Sequence, residues 1–136
     1  MRRTLLLLAA LVSSGCGSGG PPVHPTTGVV QFRGGKPPAA GLVEFAPVDG
    51  GPAARAKLNP DGTFTVVTDD RPGAVAGKHR VVVLPVVVAD GGPVGHRHKA
   101  AVVVHPKHAR FETSGLSTTV VAGQTNHFTV EVEPAP

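Results

Sequence analysis

Short runs of alternating apolar and polar residues, broken by glycine and proline, are the feature that most constrains the fold of this chain. The 136 residues include 18 Gly and 14 Pro, which interrupt regular elements after a few residues. Between these breaks, apolar side chains recur at every second position, as in half-buried strands. Beyond residue 25 no segment has the apolar spacing of an amphipathic helix. The pattern predicts an all-β fold, a single antiparallel β-sandwich of about seven strands.

The alternation also predicts which side chains form the core. The residues expected to point inward are Val30, Phe32, Val43, Phe45, Phe64, Val66, Val81, Val83, Leu116, Val120, Phe128 and Val130. The segment Gly77 to Val88 is apolar on both faces, which is typical of a central strand, and Pro85 is expected to end or bend its ladder.

One turn is predicted especially clearly, at Asn59-Pro60-Asp61-Gly62. Pro60 presets φ for the first central position of a turn, and Gly62 relieves the exit. The sequence therefore predicts a hairpin that joins residues 54–58 to residues 63–68.

The first 16 residues have the composition of an export signal. Arg2 and Arg3 precede an apolar run from Leu5 to Val12, which is far shorter than the ~20 residues needed to span a bilayer. With Ser13-Ser14-Gly15-Cys16 the segment resembles a bacterial lipoprotein signal, although Ser13 stands where such signals usually have Leu. The resemblance implies a signal helix over residues 1–15, cleavage before Cys16, and acylation of Cys16 with palmitate-type chains. The expected location is a bacterial membrane of the cell envelope, on the periplasmic or surface face.

Composition after Cys16 indicates a tether and one domain. Gly17 to Pro25 is rich in Gly, Ser and Pro, as flexible linkers are. The remaining length suits one small domain with one core. The expected organisation is a signal peptide over 1–15, a lipidated cysteine and tether over 16–25, a β-sandwich over 26–133 and a tail over 134–136.

Charge and aromatic content exclude some binding classes. The net charge is +4, of which Arg2 and Arg3 supply two units, and the chain has no Tyr or Trp to stack on bases or sugars. Nucleic acid is therefore not an expected partner. The expected partners are membrane lipid, through the acylated N-terminus, and a protein of the envelope.

Three stretches together resemble the carboxypeptidase regulatory-like domain, a transthyretin-like β-sandwich. They are Gly28-Val29-Val30 leading to Gly41-Leu42-Val43-Glu44-Phe45, then Asn59-Pro60-Asp61-Gly62-Thr63-Phe64, then residues 72–81. The resemblance implies a non-catalytic structural or protein-interaction module. His79 stands where the family pattern has Tyr or Phe, and it is expected to be a partly buried histidine at the edge of the core.

A histidine-rich segment supports an alternative function. His96, His98, His105 and His108 fall close together, and histidines at such spacings converge on zinc or copper in some proteins. The alternative is a periplasmic or surface metal-binding protein. The main prediction remains a solvated loop, with no metal and no cofactor.

Other chemistry has little support in the sequence. The chain lacks a G-x-S-x-G nucleophile motif and is predicted not to be an enzyme. Asp61, Asp69 and Asp70 lack the spacing of a calcium loop. An isopeptide between Lys36 and Asn126 needs both side chains buried, and both are predicted at turns in water.

Overall fold

A computed structural model describes residues 19–86 and 103–136 of the chain. The described part is all-β. Its elements are β1 Val23–His24, β2 Thr26–Phe32, β3 Leu42–Pro47, β4 Ala54–Lys57, β5 Thr63–Thr65, β6 Val67–Thr68, β7 Arg71–Pro72, β8 Ala74–Val75, β9 Gly77–Leu84, a 3₁₀ helix Pro106–Ala109, β10 Leu116–Val120 and β11 Asn126–Val132. The predicted class, an all-β sandwich built mainly from antiparallel strand pairs, is confirmed.

The larger sheet has six strands in the order β10-β9-β3-β4-β6-β7, with antiparallel pairing throughout. β9 lies between β10 and β3 and ends at Leu84, before Pro85, as the sequence predicts. Val81 and Val83 are buried on its inner face and Val82 on its outer face. The 3₁₀ helix packs on β9, which explains why an outward-pointing valine is buried.

The smaller sheet has the order β11-β2-β5 and contains a parallel pair, β2 with β11. An entirely antiparallel arrangement is therefore wrong at this pair. Parallel strands need a long crossover connection. The chain provides one, because β3 to β10 and the 3₁₀ helix all lie between β2 and β11 in the sequence. Turn chemistry alone does not specify such a long-range pairing.

The turn at residues 59–62 is confirmed, but the hairpin that it was expected to join is divided between the sheets. Gly62 N–H donates to the Asn59 carbonyl, and Asn59 N–H donates to the Thr63 carbonyl, both within 3 Å. β5 then pairs with β2, whereas β6 pairs with β4. At the switch, Val66 N–H donates to the Thr26 carbonyl and the Val66 carbonyl accepts from Gly73 N–H. The bend therefore leaves the Val66 peptide groups satisfied.

Both sheets contribute side chains to one core. Phe45 lies at its centre, with ring centroids 5.8 Å from Phe64, 6.0 Å from Phe128 and 6.1 Å from His79. Ten of the twelve predicted core residues are buried, while Leu116 and Phe128 are partly buried and pack against the cluster. The core also includes residues that were not predicted, which are Ala54, Ala56, Leu58, Ala74, Val104 and Val132.

Chain segments that were expected to be tether and tail take part in the fold. Val23 and His24 pair with β8, and Gly73 is required there because a Cβ at residue 73 would collide with the His24 backbone. At the other end Pro134 pairs with Val104. The ordered fold therefore extends beyond residues 26–133 at both ends. Cys16, the predicted signal peptide and the first residues of the predicted tether lie outside the described residues.

Candidate functional site

An open groove of about 450 Å³ lies on the outer face of the six-stranded sheet. Its floor comes from neighbouring strands: Lys78 and Arg80 of β9, and Leu116 and Ser117 of β10. The segment that connects the 3₁₀ helix to β10 forms a wall. The complete lining is Val48, Lys78, Arg80, Phe111, Glu112, Ser114, Gly115, Leu116 and Ser117.

Two cations in this groove, Lys78 and Arg80, are exposed and form no ion pair with a described residue. Lys78 and Arg80 alternate along β9, so both side chains point to the outer face. In the described residues the ion pairs are Arg33–Glu131, Arg55–Glu44, Lys107–Glu133 and Arg110–Glu112, none of which uses Lys78 or Arg80. Glu112 is the acidic residue in the lining. Its Oε2 lies 3.9 Å from Arg110 Nε.

β10 forms one edge of the sheet and presents backbone groups next to the groove. Val48 N–H donates to the Lys78 carbonyl at 2.9 Å, so the peptide groups of Lys78 point toward β3. Because peptide groups alternate in an antiparallel ladder, those of His79 point toward Thr118 of β10. The N–H and C=O groups of Ser117 and Thr119 therefore point away from β9. Within residues 19–86 and 103–136, no strand pairs with that edge.

His108 holds the groove wall in place. Its Nδ1 lies 2.9 Å from the Ser114 carbonyl, which only accepts, so Nδ1 carries the proton. Its Nε2 accepts from Glu133 N–H at 3.1 Å. Burial lowers the pKa of His108, which favours this neutral form. The ring thus joins the 3₁₀ helix, the start of β10 and the C-terminal segment.

These bonds bear directly on the metal-binding alternative. His108 uses both ring nitrogens in backbone hydrogen bonds, and His105 Nδ1 accepts from Lys107 N–H at 3.1 Å. In the described ranges no group of three or more His, Cys, Asp or Glu residues is placed to hold a metal ion. His96 and His98 lie outside those ranges. The four-histidine site therefore stays a prediction, and its assembly would require His108 to give up its present bonds.

His79 is fully buried rather than partly buried at the edge of the core. Its Nδ1 donates to the Gly77 carbonyl at 3.0 Å, while Nε2 has no hydrogen-bond partner in the described structure. Desolvation lowers its pKa. Its cross-strand neighbour Thr118 also has a buried, unpartnered Oγ1. Nearby Phe45 makes this a structural position rather than a ligand-facing one.

Asn126 is buried, whereas the sequence placed it at a turn in water. Its Oδ1 accepts from Val121 N–H at 2.8 Å, and its Nδ2 donates to the carbonyls of Val121 and Gln124. The carboxamide therefore fixes the connection between β10 and β11. Lys36, the other conceivable isopeptide partner, is exposed.

The acidic residues considered for calcium occupy turns. Asp61 accepts from both the N–H and the hydroxyl of Thr63, and these bonds lower the pKa of Asp61. Asp69 and Asp70 have positive φ angles of 46° and 63° in the turn between β6 and β7. Such conformations are typical of Asp in tight turns.

The sequence interpretation did not identify Lys78, Arg80 or Ser117 as site residues. Alternation along residues 78–80 indicates that Lys78 and Arg80 share one face, but it does not indicate which strand lies beside them. The groove depends on the pairing of Arg80 with Ser117, two residues far apart in sequence. A side-chain pattern within one strand carries no signal of that neighbour.

Comparisons with protein-family models, curated proteins and solved structures found no match to this chain. The resemblance to the carboxypeptidase regulatory-like domain therefore stays a prediction. Across the two described ranges, no helix is long and apolar enough to cross a membrane.

Proposed function

We propose that this protein is a non-catalytic interaction module of the bacterial cell envelope, anchored as a lipoprotein through Cys16, which binds its partner along β10. The observation that carries the binding proposal is that the backbone N–H and C=O groups of Ser117 and Thr119 point away from β9, next to an open groove. An extended segment that pairs with such an edge gains main-chain hydrogen bonds. The basic start, short apolar run and lone cysteine of residues 1–16 support the anchor.

The chemistry of the groove supports binding rather than catalysis. The Ser114 hydroxyl accepts from Leu116 N–H, and the Ser114 carbonyl binds His108. The groove is open, and its hydroxyl groups lie beside cations that can attract an anionic partner. Nothing in this arrangement activates Ser114 as a nucleophile, because its nearby imidazole is engaged with backbone groups.

The anchor is tested by the intact mass of protein recovered from the detergent phase of its native host. The expected species begins at Cys16 and carries added acyl mass, and Cys16→Ala lacks that species. An unmodified chain in the soluble fraction would contradict the anchor while leaving the binding edge to be tested separately.

The binding edge is tested by placing a photo-activated cross-linking residue at Thr119 in the native host. The matched control is the same residue at exposed Thr65, on the other sheet. We expect a discrete adduct from position 119 alone, lost in Ser117→Pro, which removes an outward N–H, and retained in Ser117→Ala. Equal yields from both positions, or an adduct that survives Ser117→Pro, would contradict strand addition.

A further inference from the structure

The cross-strand register places the two cations of β9 beside the edge of β10 that no described strand pairs with. Arg80 lies opposite Ser117, and Lys78 lies opposite Thr119. The two edge residues are therefore each flanked, on the outer face, by a positive charge. Their own side chains are short, so the longer Lys and Arg side chains have room to extend across them.

We propose that the segment bound along β10 is an acidic extended peptide, with carboxylates at two positions separated by one residue, paired with Lys78 and Arg80. This inference rests on the proposed function, since it assumes strand addition at β10. It names the chemistry of the partner that the edge selects.

Strand geometry supports the alternate spacing. Neighbouring strands lie about 4.8 Å apart, so an added strand lies roughly 10 Å from β9. A Glu side chain that extends from the added strand toward β9, together with an Arg or Lys side chain that extends from β9 toward the added strand, spans this separation. Residues i and i+2 of the added strand share the outer face, and they match Ser117 and Thr119 in position.

Charge complementarity favours carboxylates over other side chains at these two positions. Lys78 and Arg80 are exposed and make no ion pair with any described residue. Glu112 lies on the wall, toward Arg110. A basic peptide would meet two like charges, and such juxtaposition disfavours binding.

The remaining lining indicates what surrounds the carboxylates. Val48 is 45% exposed at one side of the groove. Phe111 supplies an aromatic surface from the wall. Together they suit aliphatic or aromatic residues flanking the acidic pair, since apolar contact adds to binding when it is removed from water.

The test uses the purified protein and a fluorescent peptide rich in the strand-forming residues Val, Ile and Thr, with Glu at positions i and i+2. Controls are the same peptide with Gln at both positions and a peptide with adjacent Glu residues. Binding is followed by anisotropy at low and high salt. We expect the Glu-x-Glu peptide to bind most tightly, with weaker binding at high salt because exposed charges are screened.

Variants assign the effect to the two cations. The double variant Lys78→Gln/Arg80→Gln is expected to weaken binding roughly three- to tenfold, the range for exposed ion pairs at an interface. The matched control Lys57→Gln removes an exposed cation of β4 in the same sheet and should leave affinity unchanged. Lys78→Glu/Arg80→Glu should reverse the preference toward a Lys-x-Lys peptide, and circular dichroism verifies that each variant folds.

Several outcomes would overturn the inference. Equal affinity for the Glu and Gln peptides, with both lost in Ser117→Pro, retains strand addition but contradicts acidic selection. Binding of the Glu peptide that is unaffected by Ser117→Pro, or displaced equally by free glutamate or phosphate, indicates a simple anion site. Absence of peptide binding while the Thr119 cross-link persists contradicts this inference and leaves the proposed function standing.

Discussion

The imidazole of His79 lies opposite Thr118 in the β9–β10 ladder, and both side chains point into the core with an unpartnered polar atom. Those atoms are His79 Nε2 and Thr118 Oγ1. A buried polar atom without a hydrogen bond reduces stability, because it has lost water and gained no replacement. Among the described buried side chains this pair therefore lowers stability, because its two polar atoms are the ones left without a hydrogen bond.

Replacement of this polar pair should stabilise the protein. Thr118→Val is expected to raise the free energy of unfolding at pH 7.5 by about 1 kcal/mol, because it removes an unsatisfied buried atom. His79→Phe should give a smaller gain, because it removes the unsatisfied Nε2 but also the Nδ1 bond to the Gly77 carbonyl. The measurement is urea denaturation. Thr119→Val, at an exposed position of the same strand, is the control and should change stability by less than about 0.5 kcal/mol. Destabilisation by both core variants would indicate that the two polar groups are satisfied in solution.

Stability should decrease as the pH falls below about 6.5. Burial lowers the pKa values of His79 and His108 from the ordinary value of 6.5, so the unfolded chain takes up protons more readily than the folded protein. The contribution of neutral histidine is therefore complete above pH 6.5 and is lost as the pH falls through the lower folded pKa values. Asp61 and Glu133 have lowered pKa values also, and their contributions are lost in a separate, more acidic window.

The corresponding measurement compares urea midpoints at pH 7.5 and pH 5.5. We expect a lower midpoint at pH 5.5, and a smaller difference in His79→Phe than in the wild type. A midpoint that is unchanged or higher at pH 5.5 would contradict the assignment of both histidines as neutral.

Removal of the His108 ring should disrupt the groove wall. His108→Ala leaves the Ser114 carbonyl and Glu133 N–H without their partner and is expected to lower the free energy of unfolding by about 2 kcal/mol. His127→Ala is the control, since His127 is exposed and contacts only the Thr27 hydroxyl among the described hydrogen bonds. Thermal unfolding of the two variants provides the comparison, and equal losses would contradict the structural role of His108.

Gly28 should tolerate no side chain. A Cβ there would meet the Phe128 carbonyl oxygen and lie 2.5 Å from a ring carbon of Phe64. Gly28→Ala is expected to cost about 3 kcal/mol through forced repacking. Gly34→Ala, at a positive φ of 95° in open space, should cost about 1 kcal/mol from backbone strain alone. Similar losses for both would mean that the core can yield around Gly28.

Local chemistry made much of the fold predictable from the sequence. Pro60 and Gly62 specify their turn through backbone preference, and valines on both faces of residues 81–83 specify a central strand. These signals lie within one or two adjacent elements. Burial of alternate side chains likewise identified most of the core around Phe45.

The parts that could not be predicted depend on long-range pairing. Val66 continues the apolar alternation that begins at Phe64, and nothing local shows that the chain changes sheets there. The parallel register of Val30 with Val130 and the opposition of Arg80 and Ser117 join residues distant in sequence. The groove depends on the cross-strand pairing of Arg80 with Ser117, so the sequence did not identify its residues. The anchor at Cys16 was predicted from contiguous residues and awaits its own test.

Amide hydrogen exchange along β10, resolved by NMR, tests the central claim most directly. The N–H groups of Thr118 and Val120 face β9 and should exchange slowly, while those of Ser117 and Thr119 point away from β9 and should exchange at rates close to that of Gly51 in the exposed turn between β3 and β4. This alternation would establish the open edge on which partner binding depends. Strong protection of Ser117 and Thr119 in the free protein would mean that the edge is already paired, and it would contradict the account.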